Sequence, residues 1–397
     1  MLIKVVFVGQ SFSQKRQSYL LNELSKYFLI YALVPNWSEK LKYLGVPKQV
    51  LINEKEVKFN VIWHKVLFVD KPLIQFYPTV IFSLYRIKPK VIVLNLYHSL
   101  MGILVGIFCK ITKTPFIVIS ALNPTIKYMK FERFILKILY LIPDFVVVLT
   151  NGMKIKLIEE LKVNENKIFI IPESGYYVKE SIKENDNNYV TFLYTGRHVY
   201  EKGLFYLIFA FKRLIDKGFK AKLILCGEGI ITNYLRKFSE KLGLNGLIDF
   251  KGYVDEKELQ KYFEISDIIV YPSIKIKNWE EQFGYSVLEG MSNGLATIVT
   301  DCGSLPELVG NAGIIVPQKN VEKLAEAMEF LARNREKLNE YKKMSLERAK
   351  EYSLKNVEEK WRKLINLASS SSYYTANIFT SLKNKNNVNN QITIHNS

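Results

Sequence analysis

The chain has 397 residues, 48% of them hydrophobic, with 24 Tyr and 24 Phe; that is long for one domain and comfortable for two that each bury a core. The formal net charge is +18, and it is lopsided: residues 1–175 hold 24 Lys and Arg against 11 Asp and Glu. Three widely spaced cysteines, Cys109, Cys226 and Cys302, with no Cys-x-x-Cys pair, exclude a metal quartet of cysteines alone and point to a reducing cytoplasm.

The opening MLIKVVFVGQ has too short an apolar run for a signal peptide and carries Lys4. It reads instead as a strand over 3–8 that is buried on both faces. Gly9 ends it, and 14–27 has helical spacing. Further buried strands are expected at 91–96 after Pro89, at 116–120 after Pro115, at 145–150 and at 168–171. The most apolar stretch is SLMGILVGIFC, 99–109, closed by Lys110 and interrupted upstream by Asn95 and His98. It falls short of the roughly 20 residues a spanning helix needs, so it reads as a buried helix. The segment KYMKFERFILKILYLI, 127–142, mixes apolar and basic positions. It is either an interfacial helix or an ordinary core helix with a solvated face.

Residues 176–189 are polar and lack periodicity, and read as a linker. The pattern then restarts. Strands are expected at 190–194, 222–226, 248–250, 267–271, 297–300 and 313–316. Helices are expected at 204–216, near 230–242, from Asp255, at 284–293, near 320–333 and at 336–350. Ser353 is placed as the N-cap of a last helix that ends near Ala368. From Ser369 the sequence turns Ser- and Asn-rich and is expected to be disordered. Strands alternating with helices give an α/β chain of two Rossmann-like, doubly wound domains facing a cleft. The divisions are 1–175, a linker 176–189, 190–350, a helix 351–368 that can cross back to the first domain, and a tail 369–397.

Four stretches of the second half suit an anionic, phosphate-bearing ligand. TGRHVYEKGL, 195–204, sets Arg197 and Lys202 beside a strand end, where Gly196 permits a tight turn and a helix begins near Gly203. Two cations beside a helix N-terminus suit a diphosphate, although a loop with two solvated cations would look the same. LCGEG, 225–229, and FKGYV, 250–254, repeat the strand-then-glycine theme at Gly227 and Gly252. They lack the spacing of a dinucleotide fingerprint. EEQFGYSVLEGMSNG, 280–294, places Glu281 in a loop and Glu289 about one and a half turns inside a helix. Gly284 lies at that helix start, where backbone amides and the helix dipole favour an anion.

The run EQFGYSVLEGMSNGLATIVTDCGSLPE resembles the E-x7-E signature of family-four retaining glycosyltransferases, which have the GT-B fold. Glu281, Phe283, Gly284, Glu289, Met291, Gly294, Gly303 and Glu307 fall on the pattern. Gly290 stands where alanine is common. TGRHVYEKGL looks like the family's Gly-Arg-x-x-x-x-Lys-Gly phosphate motif, and LCGEG and FKGYV fit its next two glycine turns. The resemblance implies that Arg197 and Lys202 neutralise the diphosphate, that Glu281 contacts the donor sugar, and that Glu289 holds the ribose. It further implies that Gly196, Gly227 and the amides of Phe283, Gly284 and Tyr285 line sugar and phosphate, while Gly252, Tyr253 and Val254 border the base. No metal and no cofactor are implied, in keeping with the lack of an Asp-x-Asp motif.

The first half departs from that family pattern. Only Gly9 stands where a glycine pair is usual, and Leu122 and Asn123 stand where a His is often found. His98 is the other candidate on the acceptor side. Glu173-Ser174-Gly175 replaces the usual Asn-Gly near the domain junction. The resemblance therefore implies a retaining transferase. It would move a sugar from a nucleotide diphosphate sugar, with UDP or GDP as the nucleotide, to a saccharide or lipid-linked acceptor. The basic first half, with Lys15, Arg16, Lys127, Lys130, Arg133 and Lys137, suggests an anionic membrane surface on the cytoplasmic side; plain solubility charge is the other reading. No aromatic–basic repeat speaks for nucleic acid. Two further readings stand beside transfer: a nucleotide-sugar epimerase, and a non-catalytic subunit that keeps only the donor half.

Overall fold

The computed structural model describes residues 2–36, 52–67, 76–96, 100–120, 130–172, 175–182, 189–277 and 279–370. Its first sheet has seven parallel strands: β1 (Lys4–Val8), β2 (Leu29–Pro35), β3 (Asn60–His64), β4 (Val91–Leu96), β5 (Phe116–Ser120), β6 (Phe145–Val148) and β7 (Ile168–Ile170). They lie in the order β3-β2-β1-β4-β5-β6-β7. The connecting helices are α1 (Lys15–Leu24), α2 (Val80–Ile87), α3 (Leu100–Thr112), α4 (Lys130–Leu141) and α5 (Asn151–Glu159). The central strands are runs of Val, Ile and Phe because helices cover both sheet faces. Alternate residues of β1 show this. Val5 and Phe7 pack in one apolar cluster, Val6 and Val8 in another.

The second sheet has six parallel strands in the order β10-β9-β8-β11-β12-β13. They are β8 (Val190–Thr195), β9 (Ala221–Cys226), β10 (Ile248–Gly252), β11 (Ile268–Tyr271), β12 (Ala296–Thr300) and β13 (Ile314–Val316). Their helices are α6 (Leu204–Asp216), α7 (Thr232–Lys241), α8 (Glu256–Ile265), α9 (Tyr285–Ser292), α10 (Leu305–Val309), α11 (Val321–Arg333) and α12 (Arg335–Lys350). Side-chain caps fix several starts: Asp255 accepts from the amide of Glu258, Asn320 from Lys323 and Asn334 from Lys337. Buried Lys342 of α12 reaches Asp267 at 2.7 Å and ties that helix beneath the sheet.

The last described helix, α13 (Leu354–Ser369), leaves the second domain. Ser353 caps it by accepting from the amide of Asn356. Val357, Trp361, Leu364 and Ile365 join the apolar cluster of β1 and α1. The Trp361 ring meets Phe7 edge-on at 6.1 Å, and its indole N–H donates to the carbonyl of Pro172. The described part of the 176–189 segment is pinned rather than free. The Tyr176 amide donates to Tyr352 and its carbonyl accepts from Leu354, while Lys179 donates to Ser292. Residues 371–397, the bulk of the Ser- and Asn-rich tail, lie outside the described residues.

One expectation needs correction. The 99–109 stretch was expected to be buried, but α3 is buried on one side only. Met101, Val105 and Cys109 face the core while Ile103, Ile107 and Ile111 are exposed. An all-apolar helix meets one sheet face, and here nothing described covers its other side.

Candidate active site

Each sheet reverses its strand order beside its own first strand, between β1 and β4 and between β8 and β11. Ligands of such sheets sit outside the carboxyl ends of the strands at that point. The two edges face each other here. A cleft of about 200 Å³ is lined by Gln10, Ser11 and Gln14 after β1, by Asn95 and Ser120, and by Gln282, Phe283 and Tyr285 of the second domain. Gly9 stands at its rim with φ +138°, and a Cβ there would come within 3.0 Å of the Asn95 Cβ. His98, the other acceptor-side candidate, lies outside the described residues, as do Leu122, Asn123, Glu173 and Ser174.

On the second domain, the loops after β8 and β11 bring two candidates into direct contact. The Lys202 ammonium donates to Glu281 Oε2 at 2.6 Å, and Ser273 donates to the same oxygen at 2.9 Å. The side chains of Lys202 and Glu281 are only 7% and 11% exposed. The Lys202 charge also sits 4.9 Å from the Tyr271 ring centre and 4.7 Å from that of Trp279. Burial alone would lower the lysine pKa, but Tyr271 and Glu281 outweigh it and the net shift is upward. The pair is thus a fixed plus and minus at the strand ends. Spacing could not show this, since the two residues lie 79 positions apart.

Arg197 differs from Lys202. It is exposed, and its guanidinium has no hydrogen-bond partner among the described residues. Its loop is held from below. Tyr194 donates to the Arg197 carbonyl, and the His198 amide donates to Glu228. The His198 ring is fully buried between Tyr194 and Phe250, with Nδ1 3.1 Å from the Thr232 hydroxyl. Burial, helped by Arg236, pushes its pKa down to about 4, so it is neutral at pH 7. The glycine turns stack closely. Gly227 has φ +127°, and a Cβ on it would come within 1.9 Å of the Gly196 carbonyl oxygen. Its amide donates to Gly252 at 2.7 Å. Tyr253 beyond is 51% exposed, and Val254 packs on the core beside it.

Glu289 sits on α9, whose N-cap is Gly284 at φ +95°. A Cβ at Gly284 would meet the Leu305 and Leu308 side chains at 2.7 and 3.1 Å. The glycine therefore serves the backbone turn and packing against α10. Phe283 is buried, with its ring centre 4.8 Å from that of Tyr285. Glu281 and Glu289 are not joined to each other: the first pairs with Lys202, the second with Arg16. Arg16 comes from α1 of the first domain and is sandwiched by Tyr176 and Tyr285, at 5.5 and 4.9 Å. That corrects its reading as a membrane-facing cation. Lys15 likewise pairs with Glu256 at 3.0 Å, and Tyr19 donates to Glu256 at 2.8 Å. Glu307, on α10, accepts from the amides of Asn151 and Gly152 at the start of α5 of the first domain.

Glu280, next to Glu281, is also buried and pairs with Lys275 at 3.6 Å. The three cysteines are buried, and burial raises their pKa, to about 12 for Cys226 and about 11 for Cys302. Among the described residues no cluster of three or more His, Cys, Asp or Glu could hold a metal ion.

Residues 178–348 match the family model described as "Glycosyl transferases group 1". A stretch of 135 residues is 33% identical to the uncharacterized glycosyltransferase MJ1607 of Methanocaldococcus jannaschii, covering 34% of this chain and 33% of that one. Another 135-residue match is 30% identical to O-antigen chain mannosyltransferase B of Escherichia coli, covering 34% of each. The chain thus matches only about a third of the length of these relatives. Over nearly all its length it superposes on solved structures. Anabaena HepE in complex with UDP gives a TM-score of 0.71 at 14% identity, covering 92% of this chain and all of that one. A Rickettsia africae glycosyltransferase gives 0.70 at 16% identity, covering 93% and 99%. Residues 178–348 are thus similar to group 1 glycosyltransferases, in a chain with the two-domain GT-B fold of these solved structures.

Proposed function

We propose that the protein is a retaining glycosyltransferase that moves a sugar from a UDP- or GDP-sugar to a saccharide or lipid-linked acceptor in glycan synthesis. The observation that carries the reading is the buried Lys202–Glu281 pair at the second-domain strand ends, with exposed Arg197, unpartnered among the described residues, in the same β8 loop. Bound UDP in the HepE structure supports a nucleotide sugar as donor.

The chemistry follows from those groups. Cleaving the glycosidic bond of the donor leaves negative charge on the diphosphate. Arg197 is free to fork onto phosphate oxygens. Lys202 supplies a fixed charge that needs no reorganisation as the bond breaks. These two cations do the work for which other sites recruit a metal, and no cofactor is required. Glu281, oriented by Lys202 and Ser273, offers its remaining carboxylate oxygen to sugar hydroxyls. Glu289 accepts from the ribose once Arg16 gives way. The amides of Phe283, Gly284 and Tyr285 line sugar and phosphate, and the Gly252–Val254 turn borders the base. The cleft lining named above, from Gln10 to Tyr285, contributes amides, hydroxyls and apolar groups and no carboxylate. That lining suits neutral acceptor hydroxyls.

We further propose that the protein works at the cytoplasmic face of an anionic membrane. A thermal-shift screen against UDP-, GDP- and ADP-sugars tests the donor assignment. One nucleotide series should raise the melting temperature, and the rise should vanish in Arg197→Ala. Stabilisation by none of the three sinks the reading.

A further inference from the structure

The first-domain sheet face opposite α1 and α13 is covered by α2, α3 and α4. Val6, Val8 and Val118 point to it and pack with α2 and α3, and Val146 and Val148 pack with α4. All three helices leave large apolar side chains in water. Phe82 is 60% exposed, Ile107 48%, Ile111 77%, Phe134 59% and Leu141 71%, and Ile138 is exposed beside them. On α3 they recur every fourth residue; on α4, Phe134, Ile138 and Leu141 follow at four and three. Each forms one stripe along its helix. Contiguous exposed apolar surface of this kind marks an interaction site.

The charge of these helices is mostly positive, with Lys110 paired to Asp144 at 3.4 Å. Together the three helices hold five basic residues, Arg86, Lys110, Lys130, Arg133 and Lys137, and one acid, Glu132. At the rim away from the cleft, a cavity of about 640 Å³ is lined by Lys88, Lys90, Lys113, Tyr85 and Phe108, by Ser369 and Ser370 at the end of α13, and by no acid. None of these three lysines has an ion-pair partner among the described residues. Apolar stripes flanked by Lys and Arg are the pattern of helices that lie in a bilayer interface. A second copy of the chain would set cations against cations. The helices, 13 residues at most, are too short to span a bilayer.

We propose that the α2–α3–α4 face docks on an anionic lipid bilayer. The Ile107, Ile111, Phe134, Ile138 and Leu141 side chains enter the acyl boundary, and the lysines of the rim cavity bind lipid phosphates. Because α3 follows β4 and α4 follows β5, both helices start at the cleft end of the sheet. The docked face would therefore run from the rim cavity at the far end of the sheet to the cleft end, and leave the cleft mouth beside the bilayer surface. This last point rests on the transferase reading with a lipid-linked acceptor; the docking itself does not.

Vesicle flotation of the full chain tests it, with phosphatidylcholine alone and with 30% phosphatidylglycerol. The account expects at least tenfold more protein bound to the anionic vesicles, with binding that declines as salt is raised. Phe134→Glu/Ile138→Glu should lose that binding at least tenfold while keeping its nucleotide-induced thermal shift, which also shows that it folds. Lys88→Gly/Lys113→Gly removes two rim charges at positions whose φ of 52° and 53° suit glycine, and should weaken binding several-fold. Binding indifferent to lipid charge, or unchanged by Phe134→Glu/Ile138→Glu, overturns the proposal. So does a dimer in sedimentation that the same double substitution abolishes, which would assign the face to a second copy. Loss of sugar transfer with intact flotation would count against the transferase reading alone.

Discussion

Replacing Lys202 by Met tests whether the donor site is also a structural element. The substitution keeps the side-chain volume between the Tyr271 and Trp279 rings but removes the ammonium. Glu281 then loses its 2.6 Å partner and keeps only the Ser273 hydroxyl, in a position 11% exposed. Breaking a buried pair from one side costs about 3–5 kcal/mol because the remaining charge is uncompensated. The Ser273 bond and the residual exposure put this site near about 3 kcal/mol, the low end of that range. Adding Glu281→Gln removes the stranded charge and should recover most of the loss, to within about 1 kcal/mol of the parent, since a neutral pair need not be worse than an ionic one. Urea unfolding of the parent, the single and the double variant reads this out. Both variants should be inactive in transfer, which separates catalysis from stability. A single variant as stable as the parent, or a double variant no better than the single, would refute the reasoning.

Arg197→Ala should show the opposite profile: unchanged urea unfolding, because the side chain is exposed and unpaired among the described residues, but turnover lower by about 10²–10³. Full activity in this variant would remove Arg197 from the site. Arg16→Gln frees Glu289 from an ion pair whose side chains are 36% and 20% exposed. Pairs of that exposure are worth up to about 1 kcal/mol, so UDP or GDP should bind about two- to fivefold tighter by calorimetry; weaker binding would mean that Arg16 itself touches the nucleotide. The folded-state pKa of His198, about 4, lies below its unfolded value of 6.5, so the unfolded chain binds the extra proton first. Stability should therefore hold above pH 6.5, fall by roughly 3 kcal/mol between pH 6.5 and about 4, and gain no further slope from this group below that. His198→Gln should flatten that part of the curve, and an unchanged slope would contradict it.

Most of the second domain is legible in the sequence because its strands are apolar on both faces and its helices carry their own caps. The α6 range 204–216 is read from its helical spacing after Gly203, and a helix from Asp255 is expected where Asp255 turns out to be the N-cap. In the first domain, β2, β3, α2 and α5 escape that reading. β3 is an edge strand with half-exposed Val61, Ile62 and Trp63, so the continuous apolar run is missing. In the site, the E-x7-E spacing separates a loop carboxylate from a helix carboxylate, and the structure keeps them apart. The partners were not legible. Lys202 finds Glu281 across 79 residues, and Arg16 finds Glu289 across 273. Such pairs arise only when strand order brings the loops together. The exposed stripe of α3 was hidden for a related reason. An all-apolar helix looks the same in sequence whether one side or both are covered, and only the neighbours decide.

Donor cleavage is the most direct test of the central claim. The protein is incubated with UDP-, GDP- and ADP-sugars, and release of the nucleoside diphosphate is followed by chromatography for the parent, Glu281→Gln and Glu280→Gln. The account predicts release from one nucleotide series, abolished by Glu281→Gln and affected far less by Glu280→Gln. No release from any donor, or an epimerised nucleotide sugar with its diphosphate intact, would contradict it.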